Sequence, residues 1–226
     1  MMRLPVFSSV VLLCAFVVVA DGATNAFEKE IRVFEAGDRT NPPPTQAVLF
    51  VGSSSIRLWK TLPEDFSNQR VINRGFGGSQ ISDAIHFAER IVLPYEPRAI
   101  VMYSGGNDIN AGKSAERVFA DFQTFVSVVW QKRPETHIAY ISIAPNPARW
   151  SQIDRVRKAN EWIEHYTRTD SRLSFIDVFP KMLGADGKPR PDIFVSDRLH
   201  MNANGYAIWK DVAGAHLQKI RSGSVR

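Results

Sequence analysis

Ala47-Val-Leu-Phe-Val51, running straight into Gly52-Ser-Ser-Ser55 and then Ile56-Arg-Leu-Trp59, is the stretch on which the reading of the fold turns. A short, continuously apolar run of this kind reads as a strand buried on both faces. Similar runs recur at Val71-Ile72, at 99–103, at 138–143 and at 173–177. Between and after them lie longer segments with apolar residues at helical spacing: 79–90, 114–133, 150–169 and 203–220. Within 114–133 the apolar face is Val118, Phe119, Phe122, Phe125, Val126 and Val129. An earlier helical face, Phe27, Ile31, Val33 and Phe34, is stopped by Asn41-Pro-Pro-Pro44. Strands alternating with helices predict an α/β fold: a three-layer α/β/α sandwich around a five-stranded parallel sheet. Five strands fill one doubly wound domain, expected over residues 21–226 with no linker inside it.

The composition agrees. Of 226 residues, 44% are hydrophobic and 23% charged, which excludes collagen-like, disordered and coiled-coil classes. The first 20 residues are set apart from the fold. After Arg3 no charge occurs until Asp21, and Val10 to Ala20 is continuously apolar. That run is too short to span a bilayer, which takes about 20 apolar residues. A positive start, a short apolar core and the small-residue pair Val18-x-Ala20 read as a secretory signal, cut after Ala20 or a few residues later. The one cysteine, Cys14, lies inside it, and Leu13 is too large for a lipoprotein processing site. A secreted or periplasmic domain without stable membrane insertion is expected. The formal net charge of +5 is carried by scattered Lys and Arg, with no run or aromatic-interleaved stripe, so nucleic acid is not an expected partner.

In a doubly wound sheet, ligands bind beyond the carboxyl ends of the strands. Four polar or glycine-rich clusters fall there: Gly52-Ser-Ser-Ser55, Asn73-Arg-Gly-Phe-Gly-Gly78, Ser104-Gly-Gly-Asn-Asp108 and Asp197-Arg-Leu-His200. Several motifs fail on them. Lys60-Thr61 follows Trp59 where a phosphate loop needs glycine, and Gly75-Phe-Gly77 reaches Gln80 where a dinucleotide fingerprint needs glycine. Ile56 occupies the last glycine position of a nucleophile elbow. The five histidines are far apart and form no metal-binding helix, so no cofactor or metal is called for.

Acyl transfer does fit. A serine hydroxyl needs a base, and the base needs a third group to hold its tautomer. Asp197-x-x-His200 lets a carboxylate accept from Nδ1 and leaves Nε2 to face a serine. A developing oxyanion needs donors as well. The serine's own amide, a glycine amide in the second cluster and the Asn107 side chain would supply three. Since histidine must be neutral to act as a base, activity should fall on the acid side of neutrality.

These four clusters resemble the SGNH hydrolases, the GDSL esterase/lipase family. The resemblance covers the chain from Ala47 to the last helix and implies the flavodoxin-like fold of that family. The family's Gly-Asp-Ser is matched by Gly52-Ser53-Ser54, with Ser53 replacing the usual aspartate; it implies Ser54 as nucleophile. The second block implies Gly78 as an oxyanion donor, and Gly105-Gly106-Asn107-Asp108 implies Asn107 as another. The terminal Asp-x-x-His implies Asp197 and His200, and Asn202-Ala-Asn-Gly-Tyr206 also fits. The layout resembles bacterial lysophospholipase-like esterases and the catalytic subunits of platelet-activating factor acetylhydrolase.

The loops at 144–151 and 180–196 are short, and the second carries Lys181, Asp186, Lys188, Arg190 and Asp192. Long lids for lipid chains are therefore not expected. Trp150 is placed as a pocket wall for a small acyl or sugar group. The expected substrate is a soluble short-chain ester, acetyl to roughly butyryl, with O-acetyl groups on carbohydrate favoured. A lysophospholipase-type acylhydrolase is the alternative, and a non-catalytic envelope- or carbohydrate-binding module is the rival from another class.

Overall fold

A computed structural model describes residues 25–222; the expected signal segment 1–20, with Cys14, lies outside them. The strands are β1 Val48–Gly52, β2 Val71–Gly75, β3 Ala99–Tyr103, β4 His137–Ile141 and β5 Leu173–Ile176. They form one sheet in the order β2-β1-β3-β4-β5, parallel throughout. The helices are α1 Glu28–Thr40, α2 Ser54–Arg57, α3 Leu62–Asp65, α4 Ile81–His86, α5 Ala88–Ile91, α6 Gly106–Asn110, α7 Ala115–Lys132, α8 Ile153–Thr167 and α9 Ala203–Ser222. This strand order is the flavodoxin-like doubly wound topology, whose crevice opens where the chain, having placed β2 on one side of β1, crosses to place β3 on the other.

The apolar runs serve two cores at once. Side chains alternate across a strand, so Leu49, Val51, Ile100, Met102, Ile138 and Tyr140 pack on one face under α1, α4, α5, α7 and α8. Val48, Phe50, Ala99, Val101, Ala139 and Ile141 pack on the other under α2, α3 and α9, around Trp59 and Trp209. Both layers are thus filled by single strands with no polar alternation, as expected for a covered parallel sheet.

Three elements differ from the sequence expectation. β2 runs on through Asn73, Arg74 and Gly75. Arg74 is buried in this strand because Tyr95 Oη accepts from its Nε at 2.7 Å and Asp38 of α1 pairs with its Nη2. The segment 79–90 is two helices, broken at Phe87, whose φ of −96° and ψ of 5° leave the helical range. Residues 147–152 form 3₁₀ turns kinked at Arg149, whose φ of −122° and ψ of 25° are not helical, and the α-helix begins only at Ile153; Pro147 fits a helix start and cannot continue a helix from before it. Among the described residues, no helix is long and apolar enough to cross a membrane.

Candidate active site

The crevice between β1 and β3 is set by Gly52. Its φ is +143°, and a Cβ there would meet the Tyr103 carbonyl oxygen of β3 at 1.8 Å, so the close approach of the two strand ends admits only glycine. Ser53 N–H then donates to the Tyr103 carbonyl at 3.1 Å, turning the chain so that Ser54 opens α2. Ser53 is buried, whereas Ser54 and Ser55 are partly exposed.

Asp197 and His200 sit in a tight turn before α9. Arg198 takes a left-handed φ of +59°, and its N–H donates to the Val195 carbonyl at 2.9 Å. The turn is closed by an antiparallel bridge between Phe194 and Met201 and by Asn202, whose Oδ1 accepts from the N–H groups of Asn204 and Gly205 at the start of α9. Asp197 Oδ1 accepts from Leu199 N–H and His200 N–H, both at 2.9 Å. Its Oδ2 lies 2.6 Å from His200 Nδ1. Chiefly the His200 N–H, opposed by burial and joined by the imidazole and the Leu199 N–H, brings the Asp197 pKa to about 2. An ionised carboxylate only accepts, so Nδ1 carries the proton and donates, and Nε2 of the neutral ring is an acceptor. Ser54 Oγ is 2.9 Å from that Nε2 and donates to it. The run Asp197–His200–Ser54 is therefore continuous.

The second and third clusters meet across the crevice. Gly78 is exposed with φ +83°. Next to it, buried Ser79 turns its hydroxyl to the Phe76 carbonyl and offers its own carbonyl to Asn107 Nδ2 at 3.0 Å. Asn107 Oδ1 accepts from Arg149 Nη1 at 2.9 Å. Both ends of that amide are thereby fixed, and one N–H of Nδ2 is left over. Neither Ser54 N–H nor Gly78 N–H donates to another group among the described residues. Beneath them, the fully buried Asp108 carboxylate accepts from Ile81 N–H of α4 at 3.2 Å and from Lys113 Nζ at 2.8 Å, tying the two loops together.

Ser54, Asn107 and His200 line one cavity of about 40 Å³, with Ile143, Arg149 and Gln152 among the other lining residues. Trp150 does not line it, which corrects the sequence expectation. Arg149 and Gln152 line the cavity, whereas the Trp150 ring lies 5.9 Å from the Arg157 guanidinium of α8. Gly78 is likewise outside the lining, at the exposed edge of its loop. Arg149 is the site residue that the sequence reading missed: an arginine in a short loop looks solvated, and its partner lies 42 residues away. Among the described residues no group of three or more His, Cys, Asp or Glu side chains is placed to hold a metal.

A five-stranded parallel sheet of this order, with polar clusters beyond its strand ends, is the fold of the SGNH hydrolases. The profile of the GDSL-like lipase/acylhydrolase family matches residues 47–208, and the chain belongs to that family. It is a carboxylic ester hydrolase. No curated protein matches the chain. Among solved structures, a GDSL-like lipase from Bacteroides thetaiotaomicron superposes with a TM-score of 0.71 at 18% identity, covering 84% of this chain and 98% of its own. A Streptococcus pneumonia protein named for platelet activating factor superposes with a TM-score of 0.71 at 20% identity, over 84% and 92%. A carbohydrate esterase family 3 protein from Talaromyces cellulolyticus gives 0.61 at 15% identity, over 78% and 97%. At these identities the likeness is one of fold.

Proposed function

We propose that the protein is an exported serine esterase that removes short acyl groups, O-acetyl groups on carbohydrates foremost, through an acyl-enzyme. The observation that carries this reading is the continuous Asp197–His200–Ser54 run at the mouth of a small cavity. Ser54 Oγ attacks the ester carbonyl as its proton passes to His200 Nε2. The imidazolium so formed is balanced by Asp197, which stays a carboxylate. The oxyanion is met by the N–H of Ser54 and by the free N–H of Asn107 Nδ2. His200 then returns the proton to the departing alcohol. Water, deprotonated by the same nitrogen, attacks the acyl-serine and frees the acid.

The cavity supports a small acyl group. A water molecule takes about 10–15 Å³ on this scale, so about 40 Å³ holds few heavy atoms. The fold's likeness to a carbohydrate esterase supports the choice of alcohol. Export rests on the apolar segment at 10–20 of the sequence. A p-nitrophenyl ester series tests the reading: kcat/KM should be highest for acetate to butyrate and fall steeply beyond. Rates that climb steadily to palmitate would overturn it in favour of a lysophospholipase-type acylhydrolase.

A further inference from the structure

The proposed ester site contains one charged side chain that positions Asn107 but whose charge acyl transfer does not use. Arg149 is half-buried and lines the cavity with Ser54 and His200. Its Nη1 donates to the Gly106 carbonyl at 3.1 Å and to Asn107 Oδ1 at 2.9 Å. Both acceptors are neutral. Of the other shielded guanidinium groups, Arg74 pairs with Asp38, Arg90 pairs with Glu28 and Glu35, and Arg98, far from the cavity, donates to Gln69 Oε1. Arg149 pairs with no carboxylate among the described residues, and its Nε and Nη2 have no acceptor there. The acid nearest in function does not neutralise it, since Asp197 is engaged by His200 and Leu199.

A partly desolvated cation without a counter-ion is costly to keep. A guanidinium with Nε and Nη2 free presents the planar fork that a carboxylate matches with two hydrogen bonds. We propose that Arg149 is a specificity residue that selects esters bearing a carboxylate close to the scissile bond. This inference rests on the ester-hydrolase reading above and narrows its substrate class to acidic esters, with the carboxylate on either the acid or the alcohol portion.

Two matched substrate pairs separate those sources. p-Nitrophenyl hemisuccinate against p-nitrophenyl butyrate places the charge on the acid portion. 4-Acetoxybenzoate against 4-acetoxybenzamide places it on the alcohol portion. Charge-assisted hydrogen bonds of about 1.5–3 kcal/mol correspond to a preference of about tenfold or more. At least one pair should show that ratio in kcat/KM, carried mainly by KM. Arg149→Gln should bring the ratio to about one, and Arg149→Lys should keep part of it. Both variants will also slow the neutral esters through Asn107, a loss that cancels in the ratio. Without turnover, benzoate or succinate, and not the matching amide, should raise the melting temperature of the Ser54→Ala protein, and Arg149→Gln should remove that protection. Ratios at or below one in both pairs, or a ratio that survives Arg149→Gln, would overturn the inference. Neutral p-nitrophenyl acetate reports the parent reading separately: its hydrolysis by the unsubstituted protein stands whether or not the acidic preference exists.

Discussion

Two serine hydroxyls in the described structure bond to histidine rings, and they sit at opposite ends of the sheet. Ser54 meets His200 Nε2 at 2.9 Å beyond the carboxyl end of β1. Ser174, near the start of β5, lies 2.7 Å from His137 Nε2 and 2.8 Å from His216 Nε2. The distances are alike, so proximity cannot be what makes a nucleophile. At the first place a carboxylate fixes the ring's tautomer and leaves one nitrogen to accept from one serine. At the second, one hydroxyl faces two rings, so Ser174 donates its proton to one and accepts the N–H of the other. Among the described residues no carboxylate hydrogen-bonds either ring; Asp170, which acts on His137 from a distance, is engaged by Arg172. Ser174 is only 5% exposed, and burial pushes both imidazoles down to about 4. The second cluster is a satisfied polar knot between β4, β5 and α9. The first is open to a cavity.

Substitution should separate the two sharply. Ser54→Ala should lower kcat/KM on p-nitrophenyl acetate by about 10⁴-fold or more. Ser174→Ala should leave that rate within about twofold while lowering stability by roughly 1–3 kcal/mol, because two shielded rings lose a partner. Steady-state rates and denaturant melts on the two variants measure this. A rate collapse in Ser174→Ala with intact fold would erase the distinction.

Within the first site, Asn107→Ala should cost about 10²–10³ in kcat with little change in KM, as for a donor used mainly in the transition state. Equal loss in KM would make Asn107 a ground-state contact instead.

The smaller effect concerns acid. Burial lowers the His137 and His216 pKa values to about 4, below the ordinary 6.5. Between those values the unfolded chain binds more protons than the folded one, so stability should decline as pH falls from about 6.5 towards 5. Replacing both rings by Gln should flatten that limb in thermal melts, and an unchanged limb would remove these histidines as its cause. Asp197, held at about 2, stays ionised over the same range and so does not set the acid limit of activity.

What could be read in the sequence follows from how local each interaction is. The apolar strands and the turn from Asp197 to His200 are written in neighbouring residues, and both are found at their expected positions. The polar end of β2 was hidden because Arg74 is made fit for a strand by Asp38, 36 residues before it, and Tyr95, 21 after. Trp150 is not legible as a residue outside the cavity because an aromatic residue in a loop reads as a pocket wall until the backbone path through the kink at Arg149 is known. The Ser174 knot joins three residues 37 and 42 positions apart that no motif links.

The most direct test of the central claim is labelling with a fluorophosphonate probe followed by peptide mapping of the folded protein. Ser54 should carry the label, Ser53, Ser55 and Ser174 should carry none, and His200→Ala should abolish the reaction. Label on Ser174 or on another serine of the 53–55 run, or no label on any serine of folded and esterase-active protein, would contradict it.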